Sequence, residues 1–319
     1  MVHRIGFIGA GDIVRKAYLP TLARRDDCQI MAICSQSGHS AHELARQYDI
    51  PFVCQDYQEL LQRNDVDGVF ICTPTASHRP IAEAVIVSHR HLLVEKPLCA
   101  TYSESHVLLQ KAAKYERMFY PAFNNRFREE NQHFYSRVLG GEIGALELLD
   151  FEWYRTKRYT QKTWLYDPSL SGGGVLMDLG THLLHLALGL LPQRRVFSAF
   201  CINLTHDSST STVEDTSTAL LSIDDNISIV MKLGWDMCLT TASRVNLQVF
   251  CRQGVVSNFE YQGEKTDGYA LMIQDFFTHI EANTRPDLNL VDNTMQVLEA
   301  LYLSSLEKRC VSGEFSRVE

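Results

Sequence analysis

An apolar run at residues 92–94 leads directly into Glu95, Lys96 and Pro97, which places a carboxylate and an amine at the end of a predicted buried strand. Charge at such a position is costly unless a site uses it. In open α/β sheets, ligands bind at the carboxyl ends of the strands. The alternative is a surface strand end with a solvated lysine. The stretch predicts a ligand site if its neighbours form a parallel sheet.

A second set of reactive groups follows the glycine run at residues 172–174. Asp178 and His182 are four residues apart, so they share one face of a predicted helix, and His185 lies near that face. The rest of this helix is almost wholly apolar, which predicts burial. A buried Asp and a buried His each cost free energy without a partner. The pair is either an internal hydrogen bond or a general acid/base that faces a ligand.

A glycine-rich turn joins the strand at residues 4–8 to a helical pattern at residues 13–25. This order is typical of dinucleotide binding. Gly9 permits the tight turn, and Gly11 lets the main chain approach a pyrophosphate at the helix N-terminus. Val14 stands at the third small position, which predicts looser packing; a plain turn is the alternative. The predicted cofactor contacts here are Gly9, Gly11, Asp12 and Ile13.

The next predicted strand ends in Cys34-Ser35-Gln36-Ser37, without the carboxylate that usually holds the ribose of NAD. The small hydroxyl of Ser35 leaves room for a 2′-phosphate and can donate to it. No arginine stands in this turn, although Arg46 lies one helix further on. The pattern favours NADP(H) over NAD(H) as the cofactor. A simple turn and helix cap is the alternative reading of these serines.

A continuous apolar strand at residues 66–73 ends in Thr73 and Pro74. Because proline ends the strand, the residues that follow form a loop at the carboxyl edge of the sheet, where a cofactor would pass. We therefore predict that Thr73, Pro74 and His78 contact the cofactor, together with Glu95 and Lys96. His78 could equally be a surface helix cap.

Strand and helix patterns alternate up to residue 122, which predicts an α/β domain with a doubly wound, Rossmann-type parallel sheet over residues 1–122. From residue 123 the rhythm changes to alternating strands with few helices. Residues 123–319 are predicted to form an α+β domain for substrate binding and oligomerisation, with a mainly antiparallel sheet. The exposed face of such a sheet predicts a homodimer or homotetramer. Aromatic side chains near its first strand and loop suit either stacking on a sugar or packing beneath the loop: Tyr154, Tyr159, Trp164 and Tyr166.

Composition limits the class of protein. The chain has 319 residues and a net charge of −8, which argues against nucleic acid or an anionic membrane as partner. No apolar stretch approaches the roughly 20 residues of a membrane span. The start shows no signal-peptide pattern, and the nine cysteines lack C-x-x-C spacing. These features predict a cytoplasmic protein with reduced thiols and no metal site.

Five motifs occur in a fixed order between residues 9 and 182. They are Gly9-Ala10-Gly11, Thr73-Pro74 with His78, Glu95-Lys96-Pro97, Asn125-Arg126-Phe127, and Gly173-Gly174 leading to Asp178 and His182. In this order the chain resembles the Gfo/Idh/MocA family of glucose–fructose oxidoreductase and inositol dehydrogenase. The resemblance implies hydride transfer between a nicotinamide and a hydroxyl or carbonyl carbon of a sugar, inositol or related polyol.

The resemblance also implies roles for single residues. Lys96 would orient the reacting oxygen, His182 would exchange the hydroxyl proton, and Asp178 would bind substrate or orient His182. Such a base must lie within about 3 Å of the hydroxyl oxygen and have a pKa near neutrality. His185 stands where the family often has Asp, and the Lys96–Pro97 peptide bond is implied to be cis. The predicted substrate-binding residues are Asn125, Arg126, Trp164 and His185.

Two other functions stay open at this point. Some relatives of the fold keep the cofactor and act as non-catalytic sensors, although the presence of Lys96, Asp178 and His182 argues against that here. Others hydrolyse glycosides with a bound NAD that acts as a redox relay.

Overall fold

The computed structural model describes residues 2–141, 143–156, 163–192, 194–206, 211–224, 226–235, 237, 239, 241, 243–260 and 268–313. The chain folds into two compact units. The first comprises Met1–Cys99, Glu104–Asn124 and Tyr269–Pro286, and the second comprises Ala100–Ser103, Asn125–Gly268 and Asp287–Glu319. The first unit therefore includes a segment from late in the chain, whereas the predicted division at residue 122 places that segment in the second half.

The first unit is built on a parallel sheet with helices between its strands. The strands are β1 (His3–Ile8), β2 (Cys28–Cys34), β3 (Phe52–Cys54), β4 (Gly68–Ile71), β5 (His91–Glu95) and β6 (Phe119–Ala122). The helices are α1 (Leu19–Leu22), α2 (His39–Gln47), α3 (Tyr57–Leu61), α4 (His78–Val87) and α5 (Tyr102–Ala113). The strand order is β3-β2-β1-β4-β5-β6, and each neighbouring pair is parallel. This confirms the predicted doubly wound sheet.

Burial explains why the strands of the first unit read as continuous apolar runs. Every residue of β4 is buried, as is nearly every residue of β1, because helices cover both faces of a parallel sheet. Phe7, Tyr18 and Phe70 pack edge to face in this core, and Phe276 joins them.

Two local features of the first unit differ from the sequence prediction. The three-residue strand β3 was not predicted, since it is short and lies at the edge of the sheet. The helix predicted over residues 13–25 is a wide π-type turn at Val14–Tyr18 followed by the short α1. Pro20 has no main-chain N–H, so a regular helix cannot pass through it with all its hydrogen bonds.

The second unit combines a mixed sheet with helices on one face. Its strands are β7 (Leu146–Arg155), β8 (Val196–Leu204), β9 (Thr216–Ile223), β10 (Ile227–Gly234), β11 (Ser243–Cys251), β12 (Gly254–Ser257) and β13 (Val311–Ser312). The remaining helices are α6 (Glu129–Leu139), α7 (Pro168–Ser171), α8 (Thr181–Gly189), α9 (Tyr269–Ala282, in the first unit) and α10 (Asn289–Glu307). The strand order is β12-β11-β7-β10-β9-β8-β13. Only β7 and β10 pair in parallel among the described strands of this sheet, which confirms the mainly antiparallel prediction.

The two faces of this sheet differ in character. Along β8, Ala199 and Cys201 are buried, whereas Phe200 and Ile202 are each more than a third exposed. Helices α8 and α10 pack against each other and against strands of the sheet, so they cover the buried face. None of the helices in the described ranges has both the length and the apolar character that a membrane crossing requires.

Candidate active site

The glycine turn after β1 leaves the main chain open to a ligand. Gly9 has φ +109, and a Cβ there would lie 2.4 Å from the carbonyl oxygen of Cys72, so only glycine fits. A Cβ at Gly11 would meet nothing within 4 Å. Asp12 and Ile13 are half-buried at the start of the following helix. This turn has the form that a dinucleotide pyrophosphate requires: a sharp bend, then exposed main chain before a helix.

The end of β2 carries a chain of hydroxyl groups. Ser35 Oγ lies 3.3 Å from Ser37 Oγ, which lies 3.4 Å from Ser40 Oγ. The main-chain N–H of Ser35 donates to the carbonyl of Cys54, which fixes the start of this turn. Donors and small side chains therefore stand where a Rossmann sheet meets the adenine ribose.

The loop after β4 is held by His78. Its Nε2 lies 2.9 Å from the Thr73 carbonyl oxygen and its Nδ1 lies 3.0 Å from the Pro97 carbonyl oxygen. His78 is 1% exposed, and burial lowers its pKa. The side chain of Ser77 closes the same loop, 2.7 Å from both the Thr73 hydroxyl and the Pro74 carbonyl. His78 thus ties the loop that carries Thr73 and Pro74 to the turn after β5.

The turn after β5 contains Glu95 and Lys96. One oxygen of the buried Glu95 accepts from the hydroxyl of Tyr18 at 2.8 Å and from that of Tyr269 at 3.4 Å. The other oxygen accepts from the main-chain N–H of Lys96 at 3.0 Å. Burial raises the pKa of Glu95, and the nearby Lys96 charge opposes that shift. Lys96 is half-buried, and the Lys96–Pro97 peptide bond is cis, as the resemblance implied.

Two helical segments of the second unit position Asp178 and His182. A wide π-type turn at Leu176–Gly180 contains Asp178, and α8 begins immediately afterwards and contains His182. Such turns are frequent at functional sites because they re-aim side chains. His182 is 6% exposed, and its ring lies 5.5 Å from that of Trp153.

A buried carboxylate that the sequence analysis missed anchors the start of this turn. Glu214 Oε1 accepts from the hydroxyl of Tyr302 at 2.7 Å and from the main-chain N–H of Leu176 at 3.1 Å. A Cβ at Gly174 would lie 2.0 Å from the main-chain oxygen of Glu214, so the glycine run is tightly packed. Burial raises the pKa of Glu214. The only sequence signal was an acidic pair, Glu214 and Asp215, just before a strand pattern.

His185 lies in a different environment from His182. Its Nδ1 is 3.3 Å from the hydroxyl oxygen of Thr294, and that hydroxyl donates to the carbonyl of Leu290. Burial lowers the pKa of His185 to about 3, so the ring is neutral near pH 7. One contact of His185 is therefore on α10.

The other predicted substrate contacts are all in the second unit. Asn125 is buried, and its carbonyl accepts from the side-chain amide of Asn131 at 2.7 Å. Arg126 is exposed, with its guanidinium 5.8 Å from the ring centre of Tyr135. Trp164 is half-buried. Tyr159 lies outside the described residues.

The predicted site residues thus form two groups. Gly9, Gly11, Asp12, Ile13, Ser35, Thr73, Pro74, His78, Glu95 and Lys96 belong to the first unit. Apart from His78 at the start of α4, they lie in or near the turns that follow β1, β2, β4 and β5, at one edge of the sheet. Asn125, Arg126, Trp164, Asp178, His182 and His185 belong to the second unit. Their roles stay predictions.

Two family models match most of the chain. The oxidoreductase-family model with an NAD-binding Rossmann fold covers residues 3–123, and the GFO/IDH/MocA C-terminal domain model covers residues 132–257. The chain belongs to the Gfo/Idh/MocA oxidoreductase family. The resemblance that the motifs indicated is therefore confirmed.

The chain is also similar to a named relative in sequence and to two solved structures in fold. The chain is 30% identical over 188 residues to dTDP-3,4-didehydro-2,6-dideoxy-alpha-D-glucose 3-reductase of Streptomyces antibioticus, across 59% of this chain and 56% of that protein. The chain thus spans about half the length of the curated relatives it matches. GenD2 from gentamicin A biosynthesis, solved with NAD, has a TM-score of 0.89 at 18% identity, covering 98% and 97% of the two chains. Myo-inositol 2-dehydrogenase of Lactobacillus plantarum has a TM-score of 0.86 at 15% identity, covering 98% and 99%.

Proposed function

We propose that this chain is an NAD(P)-dependent dehydrogenase or reductase that acts on a hydroxyl or carbonyl carbon of a sugar, inositol or related polyol. The observation that carries the proposal lies within one sheet. Lys96 follows β5 at the same edge where the open Gly9–Gly11 turn follows β1. A dinucleotide that binds this edge would bring its nicotinamide near a positively charged side chain. The named relative that acts on a deoxysugar supports the substrate class.

Each proposed site residue has a separate role in the reaction. The nicotinamide, when bound, supplies the hydride chemistry. Glu95 holds the main chain of Lys96, so the ammonium group meets the reacting oxygen in a fixed orientation and stabilises negative charge on it. His182 takes the hydroxyl proton during oxidation and returns it during reduction, and Asp178 binds the substrate or orients that ring. His185 stays neutral near pH 7 and remains a proposed substrate contact.

Within this proposal, NADP(H) is favoured over NAD(H). The Ser35–Ser37–Ser40 hydroxyls lie after β2, and the sequence from Cys34 to His42 holds no carboxylate. A carboxylate there would bind a ribose 2′-hydroxyl and repel a 2′-phosphate.

We also propose that the outer face of the second unit's sheet joins copies of the chain into a homodimer or homotetramer. Phe200, Ile202, Leu204 and Leu220 are each more than a third exposed on neighbouring strands β8 and β9. Contiguous exposed apolar side chains are typical of an interaction surface. Sedimentation of Leu220→Lys should show a smaller species than the unmodified protein. The buried thiols also support a reducing compartment such as the cytoplasm.

The test of the activity follows nicotinamide absorbance with NADPH or NADH and a panel of keto-sugars and polyols. Lys96→Met and His182→Ala should each lower kcat by about 100-fold or more, because each removes a group that acts on the reacting oxygen. Lys111→Met, which changes an exposed lysine paired with Glu83, is the matched control and should retain full turnover.

Unchanged turnover in both site variants would overturn the assigned roles. Tight cofactor binding without turnover on any substrate would favour the sensor. Glycoside cleavage without net change in absorbance would favour the redox relay.

A further inference from the structure

An ion pair beside the dinucleotide turn has no part in the mechanism above. Arg15 Nη1 and Nη2 each lie 2.8 Å from an oxygen of Glu43, so the guanidinium and the carboxylate make a two-pronged contact. Arg15 is in the first turn after the glycine loop, since its N–H donates to the Gly11 carbonyl at 3.1 Å. Glu43 is on α2. The pair therefore bridges the pyrophosphate turn and the helix that follows β2.

Glu43 of this pair is on the same helix as Ser40, the last of the three serines. Ser40 and Glu43 are three residues apart on α2, so they share one face of the helix. Ser40 Oγ in turn lies 3.4 Å from Ser37 Oγ, in the turn after β2. Arg15 thus follows the turn where the pyrophosphate is expected and contacts the helix that follows the expected position of the adenine ribose.

The geometry points to Arg15 as the side chain that binds the 2′-phosphate of NADP(H), with Glu43 holding its guanidinium in place until the phosphate replaces the carboxylate. This assignment rests on the proposed function. An arginine fork matches two phosphate oxygens as well as it matches two carboxylate oxygens.

Arg15 can exchange the Glu43 carboxylate for a phosphate at little cost, because the ion pair is accessible to solvent. About a third of the Arg15 side chain and half of the Glu43 side chain are exposed. Exposed ion pairs contribute little net stability, so breaking this one costs little. Glu43 is negatively charged near pH 7 and can hold the guanidinium, since Arg15 keeps the pKa of that carboxyl below its usual range. With a carboxylate facing it, Arg15 would bind a phosphate less tightly than a released arginine would.

The test measures the Kd of NADPH and of NADH by nicotinamide fluorescence, with no substrate present. Arg15→Leu should raise the Kd of NADPH about tenfold and leave that of NADH within about twofold, because only NADPH carries the phosphate. Glu43→Gln should lower the Kd of NADPH about threefold, because it releases the guanidinium. Arg46→Leu is the matched control. Arg46 is on α2, as Glu43 is, and its Nε donates to the His42 carbonyl. Its removal should change both Kd values equally or not at all.

The outcomes separate the assignment from the proposed function. If both dinucleotides bind and Arg15→Leu shifts both Kd values equally, or Glu43→Gln weakens NADPH, the Arg15 assignment is wrong. Binding of NADH alone also overturns the assignment, while the proposed function stands. If neither dinucleotide binds the unmodified protein, the proposed function fails and the assignment fails with it.

Discussion

Each unit of the molecule uses a buried glutamate in the same way. Glu95 in the first unit and Glu214 in the second are both less than a tenth exposed. Each accepts from a tyrosine hydroxyl and from a main-chain N–H. They differ in the sequence separation between the glutamate and the main-chain N–H that it accepts from. Glu95 holds the residue next to it, whereas Glu214 holds the start of a helical segment 38 residues earlier in the chain. One device can thus position a candidate site residue locally or from a distance.

The largest expected difference in stability is between substitutions at two glycines, Gly174 in the second unit and Gly11 in the first. Gly174→Ala places a methyl group 2.0 Å from the Glu214 carbonyl oxygen, so the main chain must move. We expect a loss of about 3 kcal/mol in the free energy of unfolding, measured with denaturant. Gly11→Ala is the control. Its Cβ meets no protein atom, so stability should stay within about 0.5 kcal/mol while dinucleotide binding weakens. Equal stability losses would contradict the packing described here.

Removing each tyrosine hydroxyl measures how much its hydrogen bond to the buried glutamate contributes to the free energy of unfolding. Tyr302→Phe should lower the free energy of unfolding by about 2 kcal/mol, since a hydroxyl that donates to a buried carboxylate is lost. Tyr18→Phe should cost only about 1 kcal/mol, because the hydroxyl of Tyr269 lies 3.4 Å from the same Glu95 oxygen. A larger cost for Tyr18→Phe would reverse the comparison.

The two carboxyl groups should also affect stability through pH. Burial raises both pKa values above the ordinary 4.5, so the protonated forms favour the fold and that contribution is lost as pH rises through the raised pKa. Glu214→Gln should therefore gain stability relative to the unmodified protein as pH rises from about 4 to about 7. Glu95→Gln should gain less, because the Lys96 charge stabilises the Glu95 carboxylate. Denaturant curves at several pH values measure both; a difference that is independent of pH would rule out the raised pKa values.

The smallest expected effects are on the titration of two buried histidines, His78 in the first unit and His185 in the second. Burial lowers the pKa of His78, and it lowers that of His185 to about 3. Their stabilising contribution is present above the ordinary value of 6.5 and is lost as pH falls through the lowered pKa. In NMR titrations between about pH 5 and about pH 8, the His185 ring should stay neutral, whereas the His78 ring should titrate at a lower pH than solvent-exposed histidines do. A titration midpoint for His185 inside that window would contradict its lowered pKa.

Regular patterns in the chain were sufficient to predict the parallel sheet of the first unit, apart from β3, and the mainly antiparallel sheet of the second. Strands buried on both faces read as apolar runs, and β8 to β10 alternate as a one-sided sheet does. Glu95 and Lys96 were visible because charge follows an apolar run directly.

Features that depend on distant contacts were not predictable. Nothing local shows that Glu214 turns inward toward Tyr302, or that the hydroxyl of Tyr269 reaches Glu95. The short β3 carries too few residues for a period to show. Arg15 and Glu43 are ordinary surface residues in the sequence, and only the packing of two helices brings them together.

Helix α9 has a consequence for how the chain is made. Its residues Phe276 and Phe277 pack against Phe70 and His3, with ring centres 5.3 Å and 4.4 Å apart. A ribosome therefore makes strands β7 to β12 of the second sheet before it delivers the last piece of the first core. Until then the nascent Rossmann half presents an uncovered aromatic surface, the kind of surface that chaperones bind. A gene fragment that stops at residue 124 should accordingly yield aggregated protein, and co-expression of residues 269–286 should improve its yield.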